Sequence, residues 1–462
     1  MTGIAPQKLG VAAQYALLAG PLLSMLDSSI VNVAIAPIAK EMGASLSTVQ
    51  WVTSGYLLAL GTGLASTSFL ARRFGTLRTY VIGMIAFTIA SVLCGFAPTI
   101  ELLIGARIVQ GLTGATLVPL AMSMLMGPDG ASRSISPLAG MLLFLGPALG
   151  PSLGGLLIGA FGWRSIFFIN LPVGLLAAAA ARFIPSGVAP ARQRSARLDL
   201  VGLLLLALGL FGVLLGLDRG ESNDWAGSLS WLPLCIGALL ITCYILRSRR
   251  TPQPALDLRI LRDRSAALSF ILCAVASISA WSILFLLPVF LQEVQGHSAL
   301  IAGLALLPQG VLTGLGTLLG QQVADRIGIR WTVLIGFGML LASSLGLLAI
   351  DATTPLWLTS AILAARSAAV GLVITPLLTV VNLRLKPDEQ ADANTVFNVV
   401  QRIAGSLGIG LIAGYFAAQS ITIGPVDALH HVAVIIAILA GAAALAAVLL
   451  PTTASRPPRH DP

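Results

Sequence analysis

Charge is what this sequence has least of. Asp, Glu, Lys and Arg make up 10% of its 462 residues, against about 25% in a soluble domain. A water-bounded globule is therefore excluded. Lysine is nearly absent: Lys8, Lys40 and Lys386 are the only three, and none sits in a G-x-x-x-x-G-K-[ST] loop. The chain has no phosphate cradle for ATP, and any such coupling would need a separate subunit. Short alternating segments are also missing, which excludes a membrane β-barrel. No nucleophile elbow and no His–Glu metal spacing occurs, so neither an enzyme nor a metal or organic cofactor is expected. The four cysteines, Cys94, Cys235, Cys243 and Cys273, lie within apolar runs without ligand spacing and read as small core residues. The four histidines, His297, His430, His431 and His460, read as loop or tail residues.

What is present is apolar. Hydrophobic residues are 56% of the chain, and the mean hydropathy is +0.93. A membrane crossing needs roughly 20 mostly apolar residues, and runs of that length fill the sequence. They predict an all-α polytopic membrane protein with fourteen spans, near 11–36, 49–70, 79–98, 102–126, 136–160, 165–184, 199–217, 231–247, 266–290, 299–320, 331–350, 356–381, 394–418 and 430–450. The first is not expected to be a cleaved signal, because Asp27 interrupts it and thirteen more follow.

The sparse charges set an orientation. With both termini cytoplasmic, 21 of 27 Lys and Arg fall inside, among them Arg192, Arg194 and Arg197. Only Lys40, Arg164 and Arg219 fall outside, and Arg107, Arg366 and Arg402 fall within spans. This follows the positive-inside rule. The net charge of +9 then needs only an anionic lipid surface and no nucleic acid. Trp51, Trp163, Trp225, Trp231 and Trp357 fall near outer span ends, as an interfacial belt would.

The chain also repeats itself. "SFLARRFGTLR" (68–78) after span 2 matches "QQVADRIGIR" (321–330) after span 10, and "GARIVQGL" (105–112) matches "AARSAAVGL" (364–372). The offsets, 253 and 259, are nearly equal and indicate a duplication. Spans 1–6 then correspond to spans 9–14, with spans 7 and 8 inserted. The predicted units are 1–184, an insertion at 185–264, a second bundle at 265–451 and a tail at 452–462. Parallel six-span repeats with a site at their interface are a secondary-transporter plan.

Asp27 is the one acid well inside a span, and Arg107 in span 4 falls at similar depth. Placing a carboxylate in lipid costs roughly 2.5–3.5 kcal/mol even on a lenient scale. Two readings follow: an ion pair that fixes packing, or a protonatable site on a translocation path. In span 5, "GMLLFLGPALGPSLGG" (140–155) makes a bent, close-packed helix, either as packing alone or as a gate. Asn398, Gln401 and Arg402 fall near mid-span 13, as substrate contacts or packing groups. Trp281 and Phe285, four apart in span 9, share a face that is either core or an aromatic platform.

These stretches resemble the major facilitator superfamily, in particular its fourteen-span drug:proton antiporters. "LDSSIVNVAIAP" (26–37) is similar to the first-span motif, "RIVQGLTGA" (107–115) to the fourth, and "GPSLGG" (150–155) to the fifth. "GWRSIFFINLPVG" (162–174) and "LDLRILRDRS" (256–265) look like family loops. The resemblance implies two six-helix bundles plus two extra helices. Asp27 and Arg107 would couple protons; Asn32, Gln110, Trp281, Phe285, Asn398, Gln401 and Arg402 would be cavity candidates. Gly146, Pro147, Gly150, Pro151, Gly154, Gly155, Asp325, Arg326 and Gly328 would form the conformational gate. One departure stands out: the loop after span 2 has Ser68 and Arg72 where the family pattern has Gly and Asp. The expected function is proton-coupled export of drugs or related amphipathic small molecules from the cell membrane, by a monomer driven by the proton gradient without a cofactor. The alternatives are an importer or uniporter of a metabolite, and a non-transporting sensor on the same scaffold.

Overall fold

The computed structural model describes residues 10–125, 137–185, 198–223, 228–251, 254–383, 385 and 387–452. Arg192, Arg194, Arg197, Trp225, His460 and the tail from 453 lie outside them. The helices are α1 (Ala12–Met42), α3 (Thr76–Gly95), α4 (Ile100–Leu125), α6 (Ser165–Phe183), α7 (Leu200–Gly220), α8 (Ser230–Arg250), α9 (Arg264–Glu293), α10 (Ala299–Ile327), α11 (Ile329–Ala349), α12 (Leu356–Asn382), α13 (Asp392–Thr422) and α14 (Pro425–Ala447). All twelve are long and apolar enough to cross a membrane. Two more complete the chain order, α2 (Trp51–Phe74) and α5 (Pro137–Phe161). The expected fourteen are thus not all met by length and apolarity. Thr53, Ser54, Thr62, Ser66, Thr67 and Ser68 dilute α2, while α5 is apolar along its 25 residues, PLAGMLLFLGPALGPSLGGLLIGAF.

The repeat is visible in the packing. α2 packs on α4 as α10 packs on α12, α1 on α5 as α9 on α13, and α3 on α6 as α11 on α14. Between the halves, α2 meets α13 and α5 meets α10, a pair of contacts that exchange when the halves are swapped. Local geometry repeats as well. Gly43 and Gly296 take φ of 62° and 70°, and Gly75 and Gly328 take 98° and 92°, values that glycine adopts without steric cost. Ser45 and Ser298 cap helices by accepting the backbone N–H of Thr48 and Ile301.

The inserted pair is a hairpin on the side of the bundle. Gly209, Gly212 and Gly216 of α7 lie against the backbone of α8 at Gly237, Pro233 and Leu234, the close approach that small residues allow. α7 also packs on α2 and α13, where Trp51 meets Phe211 at 5.5 Å. α8 faces outward, so Cys235 and Cys243 are exposed rather than core, while Cys94 and Cys273 are buried as expected. The tryptophan belt also needs correction: Trp231 and Trp357 are exposed, but Trp51 and Trp163 are buried by neighbouring helices. His430 and His431 lie in α14, not in a loop.

α1 carries a proline within its length, Pro21. Pro21 has no N–H to give the Leu17 carbonyl. The Tyr80 hydroxyl from α3 donates there instead, at 3.0 Å to Leu17 O and 2.9 Å to Ala16 O, and accepts from Gly20 N–H at 3.0 Å. Tyr80→Phe leaves these groups unsatisfied in a dry interior. A loss of about 1–3 kcal/mol is expected, read as a lower melting temperature of the purified protein.

Further along α1, Ser28 and Ser29 bond back to Met25 O and Leu26 O, and Asn32 Nδ2 donates to Ser28 O and Ser29 O at 3.3 Å. Such back-bonding competes with the helical ladder, and the helix tightens to 3-10 over Val31–Ala34.

Candidate functional site

Two features converge on α1: a sealed polar cluster on one side and a cavity on the other. The cluster is centred on Asp27, 1% exposed, and Arg107, 0% exposed. Arg107 Nη1 donates to Asp27 Oδ2 at 2.5 Å and to Gln110 Oε1 at 2.7 Å. Arg107 Nε donates to Val52 O at 3.0 Å, and the guanidinium lies 4.0 Å from the centre of the Tyr56 ring. Gln110 Nε2 and Asn170 Nδ2 each donate to Asp27 Oδ1 at 2.9 Å. Asn170 Nδ2 also reaches Ser91 Oγ at 2.9 Å, and Ser91 donates to Phe167 O. A buried ion pair offsets its desolvation only when further hydrogen bonds complete it; α2, α4 and α6 supply them here, and α3 holds Asn170 in turn, leaving Arg107 Nη2 without a partner among the described residues.

The sequence "RIVQG" explains the convergence. Arg107 and Gln110, three apart on α4, share a face. Gly111 lets that face reach α2, for a Cβ there would lie 2.5 Å from Tyr56 O. The sequence puts Asp27 and Arg107 at one depth, as found, but its pattern assigns Gln110 to the cavity and gives no role to Asn170 or Ser91. Asn170 carries a signal, a lone amide in an apolar run; Ser91 carries none.

The cavity, of about 340 Å³, lies between the halves. Met25, Ser28 and Ser29 of α1 line it with Trp281, Gln401, Arg402 and Arg366 of the second half. Arg402 also lines a second cavity of about 600 Å³, bounded by Ser24, Arg72, Asp392 and Asn398. Trp281, Gln401, Asn398 and Arg402 therefore face cavities. Asn32 and Phe285 do not. Asn32 is fully buried and bonded to its own helix, and Phe285 is fully buried in the apolar core. Four residues of helix leave about 40° of rotation, enough to carry Phe285 off the face that Trp281 shares with the cavity. Gln110 is likewise in the Asp27 cluster.

At the end where α1 finishes, the halves are closed on each other. Val33 packs into the second half's core beside Phe290 and Leu306. Gln292 Nε2 donates to Val33 O at 3.1 Å, and Ser152 Oγ to Gly303 O at 3.0 Å. Gly150 and Gly154 lie against Ser29 and Ile30 of α1, and Gly155 against the backbone of Ala299 and Leu300. Pro151 meets Gly303. Gly146 and Pro147 belong to α5, but their surroundings lie outside the described residues. At the opposite end, Ser68 and Arg72 of α2 and Asp392 and Thr395 of α13 line the larger cavity between the halves. Asp325 accepts from Gln321 Nε2 at 2.8 Å on the surface, Arg326 lies in the last turn of α10, and Gly328 supplies the turn with its positive φ.

A pseudo-symmetric pair of six-helix bundles, closed at one end over a central cavity, defines a polytopic secondary carrier. The comparisons agree: the sequence model of the Major Facilitator Superfamily matches residues 17–409, and the chain belongs to that family. It is 34% identical over 401 residues to the multidrug resistance protein B homolog of Mycobacterium tuberculosis (strain ATCC 25618 / H37Rv), covering 85% of this chain and 73% of that one. It is 31% identical over 429 residues to the multidrug export protein EmrB of Escherichia coli (strain K12), covering 91% and 81%. With the methylenomycin A resistance protein of Streptomyces coelicolor (strain ATCC BAA-471 / A3(2) / M145) it is 29% identical over 400 residues, covering 85% and 83%. Among solved structures, a mutant of the nucleoside transporter NupG superposes with a TM-score of 0.68 at 14% identity, covering 95% and 99%. The D-xylose-proton symporter does so with 0.66 at 14%, covering 96% and 99%. At that identity these two speak for the fold alone.

Proposed function

We propose that this protein exports drugs or related amphipathic small molecules in exchange for protons, by alternating access. The observation that carries this reading is the Asp27–Arg107 cluster on the back of the helix that lines the cavity. Ser28 and Ser29 face the cavity while Asp27, in the same turn, faces Arg107. In the arrangement described, every hydrogen bond at Asp27 is accepted, as suits an ionised carboxylate. A proton on Asp27 would remove the charge that Arg107 pairs with and add an O–H donor in need of an acceptor, weakening the bond at Oδ2. The change would fall on the turn just before the 3-10 segment, whose Val33 closes the halves. Protonation from the far side and release on the near side would thus bias which end is open. The gate roles of Gly150, Pro151, Gly154, Gly155, Asp325, Arg326 and Gly328 belong to the same proposal. So do fourteen crossings, the unit boundaries 1–184, 185–264 and 265–451, cytoplasmic termini in the cell membrane, action as a monomer and the lack of any cofactor. The names of the multidrug relatives support export over import.

One pH unit is worth about 1.4 kcal/mol per proton, and 100 mV adds about 2.3 kcal/mol per charge. Together they would sustain roughly 500-fold accumulation of a neutral substrate at one proton each. The test is the purified protein in liposomes with an imposed pH gradient and a panel of labelled drugs. Flux that follows the gradient and collapses with a protonophore is expected. Flux indifferent to the gradient would favour a uniporter, and no flux for any compound a sensor.

A further inference from the structure

The second half keeps an incomplete copy of the first half's charged cluster. Ser279, Ser344 and Arg366 follow Asp27, Ser91 and Arg107 by 252, 253 and 259 positions. They also meet in space. Arg366 Nη1 donates to Ser344 Oγ at 2.8 Å, and Nη2 to Ser279 O at 3.0 Å and to Ser279 Oγ. The acid is what the copy lacks, for Ser279 stands where Asp27 stands in the first half. Arg366 is 2% exposed. Its Nε has no acceptor, and no carboxylate lies in ion-pair range of it among the described residues. The copied cluster also differs in place: Arg107 is sealed in its bundle, whereas Arg366 is in the wall of the central cavity. Arg402 lines the same cavity, likewise has no carboxylate in range among the described residues, and lies 5.5 Å from the centre of the Trp281 ring.

We propose that the cavity binds an amphipathic organic anion, whose acid group sits at Arg366 and Arg402 and supplies the carboxylate missing from the second half. This names a substrate class and rests on the export reading above. A buried guanidinium without a counter-ion is costly, and a ligand carboxylate relieves that cost through a charge-assisted, forked contact that an amide cannot make. Trp281, Ile283, Leu284, Val370 and Ile374 give the same cavity an apolar lining for the ligand's ring system. Its volume is at the lower end of the range for small-molecule sites, suited to one or two fused rings.

The test is calorimetric titration of the purified full chain with 1-naphthoate, 2-naphthoate and dansylglycine, each against its neutral amide. Each acid is expected to bind at least tenfold tighter than its amide. Arg366→Gln should remove most of that preference with amide affinity kept, and Arg366→Lys should restore part of it, since charge without the fork is a weaker match. Should Arg366→Gln not fold, Arg402→Gln carries the same comparison. No acid binding tighter than its amide, or a preference unchanged in the folded variant, overturns the inference. If the preference is absent while gradient-driven flux persists, only the substrate class falls. If the preference is present without flux, the export reading falls and the anion site stands.

Discussion

Asp27→Asn is expected to abolish transport driven by a pH gradient while leaving substrate exchange without a gradient in place. Asparagine cannot take up and return a proton, and it changes the cluster in a defined way. Oδ1 still accepts from Gln110 and Asn170. The amide nitrogen that replaces Oδ2 meets Arg107 Nη1, a donor against a donor, at the position of a 2.5 Å bond. Arg107 then stays buried without a counter-ion, which costs about 3–5 kcal/mol in comparable pairs. A lower melting temperature is therefore expected alongside the loss of coupling. Asp27→Glu separates the two effects: it keeps the titratable charge and costs only the overpacking, about 1–3 kcal/mol. Efflux should then respond to the gradient at a reduced rate. In inside-out vesicles, full pH-dependent efflux by a folded Asp27→Asn protein would sink the assignment of the coupling site.

The second large effect is expected at Gly155. A Cβ there would lie 2.5 Å from Ala299 O and 2.7 Å from Leu300 Cα. Both are backbone atoms of α10 and cannot turn aside as a side chain would. Gly155→Leu should therefore push the halves apart at the closed end and disfavour the arrangement described here. Overpacking of about 1–3 kcal/mol corresponds to a shift of roughly 5- to 150-fold in the balance between the two access states. Nitroxide labels on Ala160 and Ile301, both exposed at that end, would report it in a background with the four cysteines replaced. The distance should lengthen by several ångström, and gradient-driven flux should fall about tenfold or more. A distance distribution identical to that of the parent would remove Gly155 from the gate. Gly303→Leu, which presses on Pro151, should act in the same direction.

Much of this was legible because polar groups are scarce. In a chain with few charges, Asp27 and Arg107 stand out in their apolar runs, and the cost of burying them in lipid implies that they meet. The "RIVQG" spacing put Gln110 beside Arg107 on one helix face. The tertiary partners were harder to read. Asn170 is a lone amide in its run but nothing in that run names its partner, Ser91 is one serine among many, and Tyr80 serves a carbonyl that becomes unsatisfied only because Pro21 follows it by one turn.

Three properties could be read without coordinates: the chain crosses a membrane repeatedly, its halves are copies, and one acid and one arginine share a depth. Each follows from local terms, namely the apolar length of a span, the recurrence of a motif, and the rise along a helix. The direction in which each side chain points is settled only in the assembled bundle. Ser28 and Ser29 reach the cavity while Asp27 and Asn32 turn away from it. Arg107 is sealed while its counterpart Arg366 lines the cavity. These outcomes depend on the rotation of each helix about its own axis, which packing against neighbours sets and no single helix encodes.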